Sequence, residues 1–390
     1  MLAFTAQRLM TPTEMFEHPL LFVDGGKIVE ISDRSSRAVP ASAHVLDLGE
    51  SVIAPGYIDL HIHGSAGFDV MQDDARALPA VARALSQHGV TSYYPTTVTS
   101  PRETTLRALE RLADAIEAGA RGDAERPGGA RPLGIHLEGP FISHLRKGVH
   151  PAADLLPPTL ENFEGFWQAA RGHIRMMTIA PELDGALELI AEAVRRGVCV
   201  SLGHSDADFD TAERGVAAGA RHVTHTFNAM RPLAHRDPGI LGAVLTDDRV
   251  SADIIADGVH LDPAIVALVA RAKGPEQVVL ITDGLAATGM PDGHYHLGLI
   301  DVDVKDGKCV ANGTLAGSVL TMDQAVRNLM RFSGWSLPQA VAAGSRNPAR
   351  VLGLAQKGKL AAGADADFVV LNTAGEVLRT FIGGVECRTQ

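Results

Sequence analysis

The chain has 390 residues, of which 46% are hydrophobic and 21% charged, and its formal net charge is -11. This length allows one large domain and a small one around a buried core. The acidic balance argues against nucleic acid or a membrane surface as partner, because both attract basic proteins. No apolar run reaches the ~20 residues of a membrane helix, and the first residues lack the layout of a signal peptide, so we expect a cytoplasmic protein.

Short strands are predicted near both ends of the chain, at residues 20–31, 45–53, 366–371 and 377–383. The first segment has the pattern of a hairpin with Asp24 and Gly25 at its turn. Because both ends are rich in strands and the middle is not, we expect them to pair. We therefore predict a small β-sandwich domain built from residues 1–54 and 355–390.

The middle of the chain alternates between apolar runs and amphipathic helical patterns. The runs suit buried parallel strands and comprise residues 56–63, 89–97, 132–138, 174–180, 198–204, 222–226, 250–257 and 277–283. Helical patterns between them include residues 75–88, 102–120, 185–197 and 263–273. Eight such repeats predict an α/β fold with a (β/α)8 TIM-like barrel over residues 55–354. The crossover at residues 229–249 is the least regular, and a hairpin-like insert is expected near residues 295–313.

Residues able to bind a metal stand at the ends of several of these runs, where barrels of this kind carry their chemistry. His61 and His63 end the first run and point to one face, because strand side chains alternate. Glu138 ends the third run, and His204 and His225 end the fifth and sixth. The HxH pair alone fits a structural role equally well, and a lone histidine after an apolar strand is more often a core residue. Together these residues favour a catalytic metal centre, in which protein ligands leave one position open for water.

Asp283 ends the eighth run, across the predicted barrel mouth from the first. A carboxylate beside an activated water can accept its proton and later deliver it to a leaving group. The alternative is a turn-capping role, because Asp-Gly is a common turn pair and Gly284 follows. With the metal residues beside it, we favour Asp283 as the catalytic acid and base.

The pattern of an HxH pair, two single histidines and a final aspartate resembles the amidohydrolase superfamily. Within it, the chain is similar to the N-acetylglucosamine-6-phosphate deacetylases. Six segments carry this resemblance, in order and over nearly the whole chain: HLEGPFIS at 136–143, KGVH at 147–150, LGHSDA at 202–207, THTFNAM at 224–230, IADGVH at 255–260 and TLAGS at 314–318.

The resemblance implies roles for the metal-binding residues. Glu138, His204 and His225 would hold a tightly bound ion, and His61 with His63 would complete a second site. Glu138 would stand between the ions, in place of the carboxylated lysine of other superfamily members. One or two divalent ions are therefore expected per subunit, with zinc as the expected metal and iron, cobalt or manganese as alternatives.

The resemblance also implies the substrate-binding residues. Contacts to the sugar or its acetamide fall to His150, Asn228, Ala229, His260, Leu315, Ala316, Gly317 and Ser318. Arg236 matches a phosphate-binding arginine that reaches the partner's active site in a homodimer. Arginine suits phosphate because its guanidinium donates two parallel hydrogen bonds. The alternative for Arg236 is an ordinary surface position in a loop.

The resemblance implies hydrolysis of N-acetylglucosamine 6-phosphate to glucosamine 6-phosphate and acetate. A divalent ion lowers the pKa of bound water from about 15.7 to about 7 and supplies the attacking hydroxide. The metal and His150 would stabilise the oxyanion, and Asp283 would pass the water proton to the sugar nitrogen.

Three alternatives remain at this stage. A deacetylase for N-acetylgalactosamine 6-phosphate would use the same site. A cyclic-amide hydrolase of the dihydroorotase type would share the barrel, but Glu138-Gly139-Pro140 stands where its carboxylated lysine is expected. A non-catalytic scaffold that inherited the fold would have lost ligands, whereas every expected ligand type is present.

Overall fold

The structure is a computed structural model that describes residues 1–121 and 128–387. The last three residues of the predicted segment 355–390 lie outside the described residues. The division into two domains at the predicted boundaries stays a prediction.

Eight parallel strands form the central sheet, and each pairs with the next along the chain. They are β1 (Tyr57–Ile62), β2 (Val90–Thr97), β3 (Ile135–Glu138), β4 (Ile174–Ile179), β5 (Cys199–Leu202), β6 (His222–Val223), β7 (Ser251–Ile254) and β8 (Val278–Leu280). A parallel bridge between Ile62 and Gly284 joins the last strand to the first. This nearly closed barrel confirms the predicted TIM-like fold. The strands are shorter than the predicted runs, because the chain leaves the ladder before several of the terminal polar residues.

Among the described residues, ten helices cover the barrel: α1 (Ala77–Gln87), α2 (Arg102–Arg121), α3 (Leu160–Ala169), α4 (Ala186–Arg195), α5 (Phe209–Ala218), α6 (Gly239–Thr246), α7 (Pro263–Gln277), α8 (Met322–Ser333), α9 (Leu337–Gly344) and α10 (Arg346–Val351). Helix α4 buries Leu189, Ile190 and Ala193, the three- and four-residue spacing of one helix face. Helix α5 begins where the side chain of Asp208 accepts a hydrogen bond from the amide of Thr211. The irregular sixth crossover contains only the short helix α6.

Strands from both termini share one six-stranded sheet. Its order is Val385–Glu386, Val377–Ile382, Phe368–Leu371, Val52–Pro55, Arg8–Met10 and Met15–Glu17. A four-stranded sheet of Lys27–Asp33, Pro19–Asp24, Leu2–Thr5 and His44–Asp47 faces it. Phe4 packs against Phe368 and Phe381 between the two sheets. The predicted hairpin is present, but its turn residues are Gly25 and Gly26, one position later than expected, and both have positive φ.

An antiparallel sheet stands where the sequence predicted an insert after the eighth strand. Its strands are Gly293–Leu297, Ile300–Lys305, Lys308–Ala311 and Thr314–Leu315. Smaller elements are a pair of two-residue strands (Gly64–Ser65 and Phe68–Asp69), a short strand beside β2 (Arg131–Pro132), and two 3-10 turns (His144–Arg146 and Ala152–Asp154). None of the helices among residues 1–121 and 128–387 combines the length and apolar character that crossing a membrane requires.

Candidate metal centre and active site

The five predicted metal ligands meet at the carboxyl ends of the barrel strands. His61 lies in β1 and His63 follows that strand directly, while Glu138 is the last residue of β3. His204 and His225 lie two residues beyond β5 and β6. All five residues are buried, with exposed fractions of 5% or less. The barrel therefore brings together, at the carboxyl ends of its strands, residues that lie up to 164 positions apart in sequence (61 to 225).

Three of the predicted metal-binding and acid/base residues have left-handed backbones. The φ angles are +47° at His204, +30° at His225 and +50° at Asp283. Residues other than glycine rarely adopt positive φ, and such conformations cost on the order of 1–3 kcal/mol each. They cluster at active sites, where the surrounding structure holds them. Three predicted site residues have this conformation, which supports a functional role for the carboxyl ends of the strands.

One group of ligand atoms surrounds Oε2 of Glu138. Nε2 of His61 lies 3.4 Å from this oxygen and Nε2 of His63 lies 3.3 Å from it. The two nitrogens are 3.1 Å apart. Oδ1 of Asp283 lies 3.4 Å from Nε2 of His61 and 3.1 Å from Nε2 of His63. The HxH pair, the glutamate and the predicted acid/base thus face a common centre.

A second group surrounds the other oxygen of the same carboxylate. Nε2 of His204 lies 3.3 Å from Oε1 of Glu138, and Nε2 of His225 lies 3.1 Å from it. These two nitrogens are 3.0 Å apart. Each oxygen of Glu138 therefore belongs to a separate set of three ligand-type atoms, and each set is compact enough to hold one metal ion.

The separations fit a metal. With metal–ligand bonds of about 2.1 Å, neighbouring ligand atoms lie about 3.0 Å apart at right angles and about 3.4 Å apart in a tetrahedron. Nδ1 of His63 is 3.0 Å from the carbonyl oxygen of Thr96, and Nδ1 of His204 is 2.9 Å from that of Arg146. A carbonyl accepts only, so these Nδ1 atoms carry protons, and a bound cation would leave each Nε2 with its lone pair free to act as a ligand. Converging lone pairs and a carboxylate suit a cation.

The electrostatics also favour positive charge at this point. Burial opposes ionisation of Glu138, but the charge of His61 and hydrogen bonds from the surrounding histidines hold its pKa well below 4.5. Burial likewise opposes ionisation of Asp283, yet His61 and His63 lower its pKa to about 2. Against burial, hydrogen bonds to Asp283 and Glu138 raise the pKa of His63 to about 10. Two ionised carboxylates at the bottom of a cavity form a site that a divalent cation neutralises.

A cavity of about 190 Å3 opens above the metal residues. His63, Glu138, His204, His225 and Asp283 line its floor, whereas His61 lies beneath it. Seven of the predicted substrate-binding residues line its walls: His150, Asn228, Ala229, His260, Leu315, Ala316 and Gly317.

Two predicted substrate residues lie elsewhere in the described chain. Ser318 is buried behind the wall, where its Oγ donates to the carbonyl of Thr282 at 2.6 Å and its amide donates to the carbonyl of Asp283 at 2.8 Å. It therefore supports the aspartate. Arg236 is exposed in the loop between β6 and α6, and it makes no hydrogen bond or ion pair with any residue that the structure describes. A phosphate contact from Arg236 to a partner subunit stays a prediction.

The comparisons with known proteins agree with this geometry. Residues 52–387 match the amidohydrolase family. The chain is 40% identical to the N-acetylglucosamine-6-phosphate deacetylase of Homo sapiens, over 98% of this chain and 94% of that protein. It is 36% identical to that of Bacillus subtilis, over 96% and 94%. The chain belongs to the N-acetylglucosamine-6-phosphate deacetylases of the amidohydrolase family.

Solved structures within this deacetylase family share the whole fold. One is an aspartate-to-alanine mutant from Mycobacterium smegmatis in complex with N-acetyl-D-glucosamine-6-phosphate. It matches with a TM-score of 0.91 and 38% identity over 100% of this chain and 99% of that one. The deacetylase from Thermotoga maritima matches with a TM-score of 0.86 and 34% identity, over 98% of both chains. The resemblance inferred from the motifs, and the hydrolase class with it, are confirmed.

Some contributors to the site were not found from the sequence. Asp257 received no role, yet its Oδ2 lies 2.7 Å from Nδ1 of His260 and its Oδ1 accepts the amide of His260 at 2.8 Å. The aspartate thereby orients a histidine of the cavity wall. The three-residue spacing between Asp257 and His260 was a usable signal. The carbonyls that fix His63 and His204 gave no signal, because every residue has a carbonyl.

Proposed function

We propose that this chain hydrolyses the acetamide of N-acetyl-D-glucosamine 6-phosphate and releases acetate and D-glucosamine 6-phosphate. The observation that carries this proposal is the shared Glu138 carboxylate, with two histidines on each oxygen and Asp283 beside one pair at the floor of a cavity. The deacetylase relatives, one of them in complex with this phosphosugar, support the substrate. The metabolic role and the lack of disulfides among Cys199, Cys309 and Cys387 support a cytoplasmic location.

The residues present fit one divalent ion on each side of Glu138, and zinc suits histidine and carboxylate ligands. His204, His225 and Oε1 of Glu138 would hold one ion; His61, His63 and Oε2 would hold the other. A bound divalent ion supplies Lewis acidity, which acidifies the attacking water and polarises the acetyl carbonyl.

Asp283 moves the proton. Its Oδ1 faces the cavity beside His63, and its lowered pKa keeps the carboxylate ionised, so that it has a lone pair to accept a proton. It accepts the proton of the attacking water at this oxygen. It then delivers the proton to the sugar nitrogen, because an amine must be protonated before it leaves.

His150 serves the other side of the carbonyl. Burial, followed by the charge of the adjacent His204, holds its pKa well below 6.5, so the ring is neutral at pH 7. A neutral imidazole donates one hydrogen bond, and a donor aimed at the carbonyl oxygen stabilises negative charge that develops there. The walls formed by Asn228, His260 and the 315–317 loop would orient the sugar.

The phosphate contact and the assembly complete the proposal. Arg236, exposed and without a described partner, would bind the 6-phosphate in the active site of the other subunit of a homodimer. An arginine that serves a partner's site has to be free on the surface of its own subunit. Its exposure in the single chain supports this role.

Acetate release from purified protein tests the function. N-acetylglucosamine 6-phosphate would be compared with the unphosphorylated sugar and with the galactosamine epimer, before and after chelation and re-addition of zinc. We expect release that needs both the metal and the phosphate and is fastest for the glucosamine compound. No release from any of the three with zinc, iron, cobalt or manganese would disprove the proposal, and faster release from the epimer would change the substrate.

A further inference from the structure

Two groups of a single threonine, Thr99, lie close to one ring nitrogen of His150. Thr99 lies two residues beyond β2 and is 3% exposed. Its Oγ1 is 2.7 Å from Nδ1 of His150, and its backbone nitrogen is 3.3 Å from the same atom. Thr99 is absent from the described lining of the cavity, so it contacts the histidine from behind.

The backbone contact fixes the direction of these hydrogen bonds. An amide N–H can only donate, so Nδ1 of His150 accepts from Thr99. A proton on Nδ1 would point at the amide hydrogen. Because a neutral imidazole has one proton, that proton is on Nε2. Nε2 faces the metal residues, 3.8 Å from Oε2 of Glu138.

Gly139 leaves the space that this contact needs. Its φ is +68°, and a Cβ at this position would collide with Oγ1 of Thr99 and would lie 3.3 Å from Nδ1 of His150. A side chain directly after the ligand Glu138 would therefore push the hydroxyl away from the ring. The backbone at the end of β3 accommodates the pair formed by Thr99 and His150.

We propose that Thr99 is a positioning residue, which holds His150 in the tautomer with its proton on Nε2 so that a donor faces the acetyl carbonyl oxygen. This inference rests on the proposed function, in which His150 stabilises that oxygen. Thr99 acts only through His150. Its contribution appears when charge develops on the oxygen, because the donor bond strengthens there.

Three substitutions test the hydroxyl. Thr99→Val should lower kcat about three- to tenfold, the range for one neutral hydrogen bond, with KM changed less than about twofold. Thr99→Ser keeps the hydroxyl and should restore kcat. Thr97→Val is the matched control, because Thr97 is also buried in β2 and its Oγ1 has no partner among the described residues. Wild-type kcat in Thr99→Val, or a loss that Thr99→Ser does not recover, would overturn the proposal.

A second readout does not depend on turnover. Nitrogen-15 NMR of the zinc-loaded protein reports which ring nitrogen is protonated, with the His150 signals assigned by their loss in His150→Gln. We expect protonated Nε2 in the wild type. In Thr99→Val, where only the longer 3.3 Å amide contact remains, we expect part of the population to carry the proton on Nδ1. Protonated Nδ1 in the wild type would overturn the inference even if Thr99→Val fails to fold. If the wild type has protonated Nε2 but releases no acetate, the tautomer assignment stands and the proposed function fails.

Discussion

The backbone N–H of Asp283 donates a 2.9 Å hydrogen bond to the carbonyl oxygen of His61. On its other side, the carbonyl of Asp283 accepts the amide of Ser318 at 2.8 Å. The aspartate is thus held between a strand that carries metal ligands and the loop that forms the cavity wall. Its backbone position depends on closure of the barrel, so a change of its side chain alone should leave the site in place.

We therefore expect Asp283→Asn to fold normally and to bind phosphosugar, while kcat falls about 100- to 10,000-fold. An amide of the same shape keeps Oδ1 but cannot accept the water proton. Steady-state kinetics gives kcat, and calorimetric titration of the variant with substrate gives the binding. Turnover within a fewfold of the wild type would remove Asp283 from the proton transfer.

The convergence of the ligands follows from patterns that the sequence displays. The two-residue period of a strand places His61 and His63 on one face, and eight apolar runs predict the barrel whose edge collects Glu138, His204 and His225. The finer geometry depends on tertiary contacts. The residue type of a histidine does not indicate whether its backbone is left-handed.

Two predicted substrate residues show the same limit. Ser318 belongs to a motif that lines the cavity, but its own side chain turns to the carbonyl of Thr282 behind the wall. Which residues of a motif face the cavity depends on where the preceding strand ends. The two-residue alternation of strand side chains does not show that end point. The role of Arg236 involves a second subunit, so no reading of one chain can place it.

The shared carboxylate makes a prediction about metal content. We expect two zinc ions per subunit in the wild type and one in the double variant His61→Gln/His63→Gln, because Glu138, His204 and His225 remain. Glu138→Gln should weaken both sites, because each uses one oxygen of this carboxylate. Elemental analysis after dialysis against trace zinc measures the stoichiometry. One ion in the wild type, or equal loss in both variants, would contradict two separate sites.

Arg236→Ala should raise KM for N-acetylglucosamine 6-phosphate at least tenfold and change kcat little, because a charged hydrogen bond to phosphate contributes about 1.5–3 kcal/mol. Initial rates over a range of substrate concentration measure both constants. Arg214 on α5 is a suitable control, since it is also exposed and has no described partner. If Arg236→Ala and Arg214→Ala have the same KM, the phosphate is bound by other residues.

An ion-pair network near the carboxyl end predicts a pH-dependent stability. Nζ of Lys357 lies 3.0 Å from Asp365 and 2.7 Å from Asp367, and its side chain is 11% exposed. Burial alone would raise the pKa of Asp365, but Lys27 and Lys357 lower it below 3.8. Burial alone would lower the pKa of Lys357, but Asp367 and Asp365 raise it above 10.5. The ion pairs stabilise the folded protein in full between the ordinary pKa values of 3.8 and 10.5. This stabilisation is lost as the pH falls through the lowered pKa or rises through the raised one.

Lys357→Met should therefore destabilise the protein by about 2 kcal/mol at pH 7, between the values for exposed and buried pairs, because the methylene stem remains and two carboxylates lose their partner. The difference from wild type should be smaller at pH 3, because protonation of Asp365 removes charge that pairs with Lys357. Urea unfolding of chelated protein at both pH values measures this without a contribution from the metal. Lys27→Met is the control, since Lys27 pairs with Asp365 at 2.6 Å but is 49% exposed, and it should cost less than about 1 kcal/mol. An equal loss at pH 7 and pH 3 would show that Lys357 stabilises through packing instead of charge.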